Sequence, residues 1–135
     1  MEPLVDQLMR HEGLRLKPYR DTVGKLTIGI GRNLDDVGIS RDEAMVLLKN
    51  DIDKTITALR EHLPFYDSLS EARRNVLANM AFNMGIRGLL DFRHMLDAVK
   101  AGDYETASRE MLASKWAGQV GNRAVELSNL MKKGE

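Results

Sequence analysis

The chain has no cysteine, which excludes disulfide bonds and thiol catalysis and fits folding in a reducing cytoplasm. It also lacks any apolar run approaching the roughly eighteen residues that a membrane-spanning helix requires. The N-terminal stretch carries acidic side chains and no long apolar segment, so we expect neither a secretory signal nor membrane insertion. Repeats and low-complexity tracts are absent as well, and a length of 135 residues predicts a single domain.

An excess of charge of either sign is also missing, because twenty basic residues balance twenty acidic ones. A near-neutral chain argues against nucleic-acid binding, which depends on phosphate neutralisation by lysine and arginine. The histidines His11, His62 and His94 have no metal-ligand spacing, so we expect no metal site. The segment from Gly29 to Gly31 lacks a third glycine and a following Gly-Lys-Ser/Thr, which disfavours phosphate binding.

Most of the sequence has a helical pattern. Pro3 suits a first helical turn, and Gly13 ends a helix that places Glu12 at its C-terminal end. Ser40 and Glu43 form a capping box, which starts a long helix. A central helix is apolar over most of its surface and is therefore predicted to be buried. The predicted helices cover residues 3–12, 41–61, 70–85, 86–91, 93–100, 104–113 and 121–133, with Trp116 opening another short piece.

Residues 14–34 differ from the rest and predict a small sheet. A turn is indicated from Asp21 to Gly24, and the following residues alternate between apolar and small side chains. Thr27 and Gly29 share one face, which the glycines leave open to close approach by another group. A hairpin or three-stranded sheet of this size must pack on helices to be stable. We therefore predict an α+β fold, mainly α, with a small antiparallel β lobe near the N-terminus.

Glu12, Asp21 and Thr27 are the candidate catalytic residues. Cleaving a glycosidic bond requires one carboxyl group to protonate the leaving oxygen and another to act on the opposite face of the sugar. A helix C-terminus favours the protonated form of Glu12, and an exposed turn favours the ionised form of Asp21. Thr27 could hold a water near Asp21. Alternatively, Glu12 forms an ion pair at the helix end, Asp21 only shapes the turn and Thr27 is an ordinary strand residue. Spacing alone favours this structural interpretation.

The wider stretch carries a more specific signal. The segment HEGLRLKPYRDTVGKLTIGIG closely resembles the active-site segment of the lysozymes of T-even phages, a glycoside hydrolase family. The family pattern is a helix-ending Glu-Gly, an aspartate in the next turn and a threonine in a TIGIG or TIGYG strand. Glu12, Asp21 and Thr27 occupy these positions. Downstream, YDSLSEARRNVLANMAFNMG and SKWAGQVGNRA resemble the central helix of the family and its Trp and Asn-Arg-Ala segment.

The resemblance covers nearly the whole chain and implies one two-lobed, lysozyme-like catalytic domain over residues 1–135. It implies a β lobe at about residues 13–40 and a linking helix at about 41–61. A helical lobe of residues 63–135 would include the N-terminal helix 3–12.

The chain departs from the family pattern after the TIGIG strand. Only residues 32–39 lead to the capping box, so the β lobe is shorter than in the T-even enzymes. Arg32 stands where the family commonly has a histidine, which pairs with an aspartate at the position matched by Asp51. We therefore predict an Arg32–Asp51 pair that does not titrate near neutral pH.

The resemblance also implies substrate-binding and supporting residues. Among the sugar-contacting positions of the family, Phe82 matches the family residue, and Asn83 stands where the family has a glutamine. Met95 and Glu110 stand where the family has small polar groups. Arg123 should lie near Glu12, where a cation favours the charged carboxylate and opposes the helix dipole. A purely structural Arg123 that ties the last helix to the first is an equally good alternative.

The activity implied by the resemblance is hydrolysis of the β-1,4 bond between N-acetylmuramic acid and N-acetylglucosamine in peptidoglycan, with inversion. No cofactor is needed, and we expect a monomer that acts on the cell wall after synthesis in the host cytoplasm, with release through a holin. Three alternatives stay open. These are a non-catalytic module that binds glycan or a phage tail partner, a lytic transglycosylase and a chitinase.

Overall fold

The computed structural model describes all 135 residues and confirms the predicted α+β, mainly α architecture. The chain divides into two compact units, Met1–Leu47 and Leu48–Glu135. The first contains helix α1 (Leu4–Glu12), strands β1 (Arg15–Arg20), β2 (Leu26–Gly29) and β3 (Arg32–Asn33), and the start of helix α2 (Arg41–His62). The division falls within α2, between Leu47 and Leu48.

Helix α1 ends where the sequence predicts, but none of its residues is buried. Its apolar residues Leu4, Val5, Leu8 and Met9 are all exposed. In the structure α1 is part of the first unit together with the sheet. Its membership of the helical lobe, which the resemblance implies, stays a prediction.

The sheet of the first unit is antiparallel, with the strand order β1-β2-β3. Thr27 of the central strand pairs with Tyr19 on one side and Asn33 on the other. Pro18 lies within β1, and the register of the β1–β2 pair shifts between Arg15 and Tyr19. An edge strand tolerates a proline because its missing N–H need not enter the ladder. The sheet therefore places Thr27 at its centre.

The short link after β3 is closed by hydrogen bonds rather than by further strands. The Asp35 carboxylate accepts a hydrogen bond from the Leu26 N–H at 2.8 Å, and so takes the place of a backbone acceptor. The Val37 and Gly38 N–H groups both donate to the Asn33 carbonyl, at 3.1 and 3.2 Å. The polar backbone groups next to β2 and β3 are thereby satisfied without the longer segment of the T-even enzymes.

The predicted capping box starts helix α2. The Glu43 N–H donates to the Ser40 hydroxyl at 3.1 Å, and the Ser40 N–H donates to the Glu43 carboxylate at 2.9 Å. Both donors would otherwise be unpaired at the helix N-terminus. This prediction is confirmed, and it fixes the direction of the Glu43 side chain.

The second unit is helical and contains the main core. Val76, Leu77 and Met80 of the central helix are fully buried, as predicted from its apolar surface, and Met95, Met111 and Met131 fill the core from neighbouring helices. None of the helices combines the length and apolar character needed to cross a membrane. After α2 the elements are a 3₁₀ turn (Tyr66–Ser68) and helices α3 (Glu71–Leu90), α4 (Arg93–Lys100), α5 (Tyr104–Leu112), α6 (Lys115–Val120) and α7 (Asn122–Lys133).

Helix α3 is interrupted at Gly85, where the sequence predicts a helix end and a second short helix. Gly85 has φ 81° and ψ 159°, a backbone conformation that breaks the helical path. Glycine reaches positive φ without the steric cost that a side chain brings. The predicted break is confirmed, and Phe82 and Asn83 lie in the last turn before it.

Candidate active site

Glu12 is the last residue of α1, and its carboxylate lies against the backbone of Gly31. A Cβ atom added to Gly31 would lie 2.8 Å from Oε2 of Glu12 and 2.9 Å from Cδ. A side chain at this position would therefore require the Glu12 carboxylate to move. The helix stops at Glu12 because Gly13, with φ 76°, turns the chain and donates its N–H to the Met9 carbonyl. The Glu12 side chain is thus exposed and lies close to the turn between β2 and β3.

Asp21 lies in the turn between β1 and β2, as predicted, and its side chain closes that turn. Oδ1 accepts hydrogen bonds from the N–H groups of Val23 at 3.0 Å and Lys25 at 2.8 Å. The Asp21 N–H donates to the Lys25 carbonyl at 2.9 Å. Oδ2 accepts no hydrogen bond from the chain, so this oxygen is available to a water or a substrate hydroxyl.

Thr27 is the buried residue of β2, with 3% of its surface exposed. Thr27 is therefore covered and not open as expected, whereas the close approach predicted at the glycines does occur, at Gly31. The Thr27 hydroxyl donates to the Lys25 carbonyl at 2.9 Å. Its lone pairs remain free to accept a hydrogen bond. The Lys25 peptide, which the sequence analysis did not single out, thus holds both Asp21 and Thr27.

Arg32 has a different partner from the one predicted. Its guanidinium donates two parallel hydrogen bonds to Glu43, at 2.8 and 2.6 Å, and a third to the Gly38 carbonyl at 3.1 Å. The predicted pair with Asp51 is wrong because the capping box turns Glu43 back toward Ser40 and β3. Asp51 lies eight residues later, about 12 Å further along the same helix. The pairing raises the pKa of Arg32, so the pair stays charged near neutral pH.

The Arg32 guanidinium and the Ser40 N–H lower the pKa of Glu43 from its ordinary 4.5 to about 2. A carboxyl group with a lower pKa in the folded chain stabilises the fold above the unfolded value, and this contribution is lost as the pH falls. We expect Glu43→Gln to lower the free energy of unfolding by a constant amount above about pH 5, and by progressively less towards pH 2. Chemical denaturation across this range measures the difference. A Glu43 carboxyl resonance that titrates near 4.5 would contradict it.

Arg123, in the second unit, is held by Asn79 on α3, a residue that the sequence analysis did not single out. Nε and Nη2 of Arg123 donate to Oδ1 of Asn79 at 2.9 and 2.7 Å. The guanidinium lines a cavity of about 280 Å³ with Phe82, whose side chain is 46% exposed. The apolar part of this cavity comes from α2 and α3, namely Leu48, Ile52, Ile56 and Ala78.

Asn83 is oriented by the only tryptophan. The Trp116 indole N–H donates to Oδ1 of Asn83 at 3.0 Å, and Trp116 packs edge-to-face on Phe92. The Asn83 amide N–H₂ group therefore remains as its free donor. Met95 is 1% exposed and belongs to the core, and Glu110 is exposed. Both residues line a second cavity of about 330 Å³ beside Trp116.

A small three-stranded antiparallel sheet near the N-terminus, in a chain that is otherwise mainly helical, is consistent with a lysozyme-like α+β fold. The family model described as phage lysozyme matches residues 9–133, and the chain belongs to this family. Membership supports a peptidoglycan-lytic role.

Individual relatives agree with the family. The chain is 31% identical to the pre-baseplate central spike protein Gp5 of Enterobacteria phage T4, over 97% of this chain but only 28% of that protein. It is 29% identical to an endolysin of Acyrthosiphon pisum secondary endosymbiont phage 1, over 93% of this chain and 86% of the relative. It is 28% identical to the SAR-endolysin of Escherichia phage Mu, over 90% of this chain and 74% of the relative. The chain thus spans little more than a quarter of the spike protein.

Proposed function

We propose that the chain hydrolyses the β-1,4 bond between N-acetylmuramic acid and N-acetylglucosamine in bacterial peptidoglycan. The observation that carries this proposal is the placement of Glu12. Its exposed carboxylate lies against Gly31, in the same small unit whose hairpin holds Asp21 and Thr27. Asp21 accepts two backbone hydrogen bonds, whereas Glu12 accepts none from the chain. Two carboxylates in such different surroundings suit two different roles in glycoside hydrolysis.

In this mechanism Glu12 is the general acid that protonates the leaving glycosidic oxygen. The free Oδ2 of Asp21 accepts a proton from a water, and the free lone pairs of Thr27 help to orient that water. Attack from the face opposite the leaving group inverts the anomeric centre. An inverting pair has its carboxyl groups roughly 6.5–9.5 Å apart, which leaves room for the water.

We further propose that residues of the second unit contribute to binding. The exposed ring of Phe82 offers an apolar surface to a sugar, and the free amide donor of Asn83 suits a hydroxyl or an N-acetyl carbonyl. The Arg123 guanidinium, oriented by Asn79, supports the active site electrostatically. The substrate is one glycan strand, with a monomeric enzyme and no cofactor.

The biological setting we propose is phage-mediated lysis or penetration of a bacterial wall. Two relatives carry the name endolysin or SAR-endolysin, and a third is a baseplate spike protein. In the lysis setting the chain is made in the host cytoplasm and reaches the wall through a holin. In the spike setting it is one part of a longer protein.

The test is a peptidoglycan zymogram followed by mass spectrometry of the soluble products. A clearing zone with reducing muramic acid ends, and an inverted anomer in early NMR spectra, is the expected result. Anhydro-muramic products would instead identify a lytic transglycosylase, and cleavage of chitin alone a chitinase. Binding to peptidoglycan without clearing would identify a non-catalytic module, and each of these three outcomes rejects the proposal.

A further inference from the structure

The Glu12 carboxylate lies close to the backbone of Gly31, which has a positive φ angle. Gly31 has φ 73° and leaves no room for a Cβ atom beside Oε2 of Glu12. Gly29 has a similar φ of 70°, but a Cβ atom added there would have nothing within 4 Å. The tight contact with Glu12 is therefore specific to Gly31, and any shift of the Gly31 backbone changes the space available to the carboxylate.

The strand that follows Gly31 is too short to hold this backbone in place by itself. Strand β3 consists of Arg32 and Asn33 only, and Arg32 pairs with Ile28 across the hairpin. Because β3 is an edge strand of the three-stranded sheet, a neighbouring strand holds it on one side only. Side-chain contacts of Arg32 therefore add to the restraint on the residue before it.

Arg32 has such contacts. Its guanidinium makes a two-point pair with the Glu43 carboxylate and a third hydrogen bond to the Gly38 carbonyl. The Glu43 carboxylate is itself fixed, because it accepts a hydrogen bond from the Ser40 N–H in the capping box. A bidentate arginine–carboxylate pair fixes orientation as well as distance. The N-terminus of α2 thus anchors the side chain of Arg32, the residue that directly follows Gly31.

We propose that the Arg32–Glu43 ion pair positions the Glu12 carboxylate by fixing the backbone of Gly31 against it. This inference rests on the proposed catalytic role of Glu12. The pair acts on the reaction through Gly31 and touches no reacting atom, so both members are positioning residues. A displacement of about 1 Å of a catalytic group can cost roughly a hundredfold in rate.

A purely stabilising role predicts a different result. The Arg32 and Glu43 side chains are 36% and 43% exposed, and ion pairs with this exposure contribute little to stability. A pair with a stabilising role alone would therefore lower the melting temperature slightly when removed and would leave kcat unchanged. A positioning pair also lowers kcat, with KM nearly unchanged.

The experiment measures kcat and KM separately on soluble peptidoglycan fragments. We expect Arg32→Met to lower kcat by about 10–100-fold with KM within about twofold. Arg32→Lys keeps the charge without the two-point geometry and should recover part of kcat. The matched control is Arg60→Met, which removes the exposed Arg60–Asp67 ion pair of the second unit and should leave kcat unchanged.

A second pair of variants tests the contact with Gly31 directly. Gly31→Ala and Gly29→Ala place a side chain at nearly the same positive φ, but only the first meets the Glu12 carboxylate. Gly31→Ala should lower kcat at least about tenfold further than Gly29→Ala. This comparison tests the Gly31–Glu12 contact, on which the proposal depends, even if Arg32→Met fails to fold.

The proposal is overturned if Arg32→Met keeps kcat within about twofold of the wild type. Equal losses from Gly31→Ala and Gly29→Ala would overturn it as well. These results differ from failure of the proposed function, in which Glu12→Gln itself retains full activity. An inactive Glu12→Gln with a fully active Arg32→Met rejects the positioning role alone.

Discussion

Glu12→Gln is expected to lower the rate of peptidoglycan hydrolysis by about 10²–10⁴-fold, the usual contribution of general acid catalysis. Glutamine has nearly the shape of glutamate, so it fits beside Gly31, where a larger change would not. It cannot deliver a proton to the leaving oxygen. Turbidity loss of a peptidoglycan suspension measures the rate, and circular dichroism verifies that the fold is retained.

The control for this variant is Glu126→Gln. Glu126 is exposed on α7 and makes no hydrogen bond or ion pair in the structure, so the same chemical change there should leave the activity intact. If Glu12→Gln clears the suspension as fast as Glu126→Gln, Glu12 has no part in the mechanism.

Arg73→Ala is expected to cause the largest loss of stability of any substitution considered. Arg73 on α3 donates to the Met131 carbonyl at 2.7 Å and the Lys132 carbonyl at 3.0 Å, at the end of α7. Its guanidinium also lies 3.3 Å from the ring centroid of Tyr104. Hydrogen bonds from a charged donor and one cation–π contact together contribute about 2–4 kcal/mol. At about 4 °C per kcal/mol, the melting temperature should fall by roughly 8–16 °C.

The size of this effect depends on the helix end that Arg73 caps. Without the guanidinium, two carbonyls at the C-terminus of α7 lose their only side-chain donor. Arg87→Ala is the matched control, because Arg87 is an exposed arginine of the same helix without a side-chain hydrogen bond. The melting temperature of Arg73→Lys should be intermediate, since lysine keeps the charge but lacks the planar guanidinium that donates to both carbonyls. Melting curves in which Arg73→Ala and Arg87→Ala coincide would contradict the prediction.

The helices and their limits could be predicted from the sequence because local signals set them. The capping box of Ser40 and Glu43 starts α2, and the break at Gly85 follows from the freedom of glycine. Each of these signals acts within a few residues. The sequence predicts a hairpin or a three-stranded sheet for the same reason, since the turn at Asp21 is closed by neighbouring N–H groups.

The partner of Arg32 could not be predicted by analogy with the histidine–aspartate pair of the family. Choosing between Glu43 and Asp51 requires the direction of each side chain, and the capping box decides that direction for Glu43. Two observations could have suggested it, namely the short link after β3 and the arginine at its start. The burial of Thr27 was missed because alternation predicts which residues share a face but not which face is covered.

The closed link after β3 has a consequence for the variation of chain length. The chain leaves the sheet at Asn33 and passes Gly38 before α2 begins, and these two residues are joined by a backbone hydrogen bond of 3.2 Å. A longer segment can therefore be inserted between Asn33 and Gly38 without displacing β2 or α2 if Asp35 keeps its hydrogen bond to the Leu26 N–H. The entropic cost of closing a longer loop grows only slowly with its length. The exposed tip between these two residues is the place where this chain can accept an inserted segment.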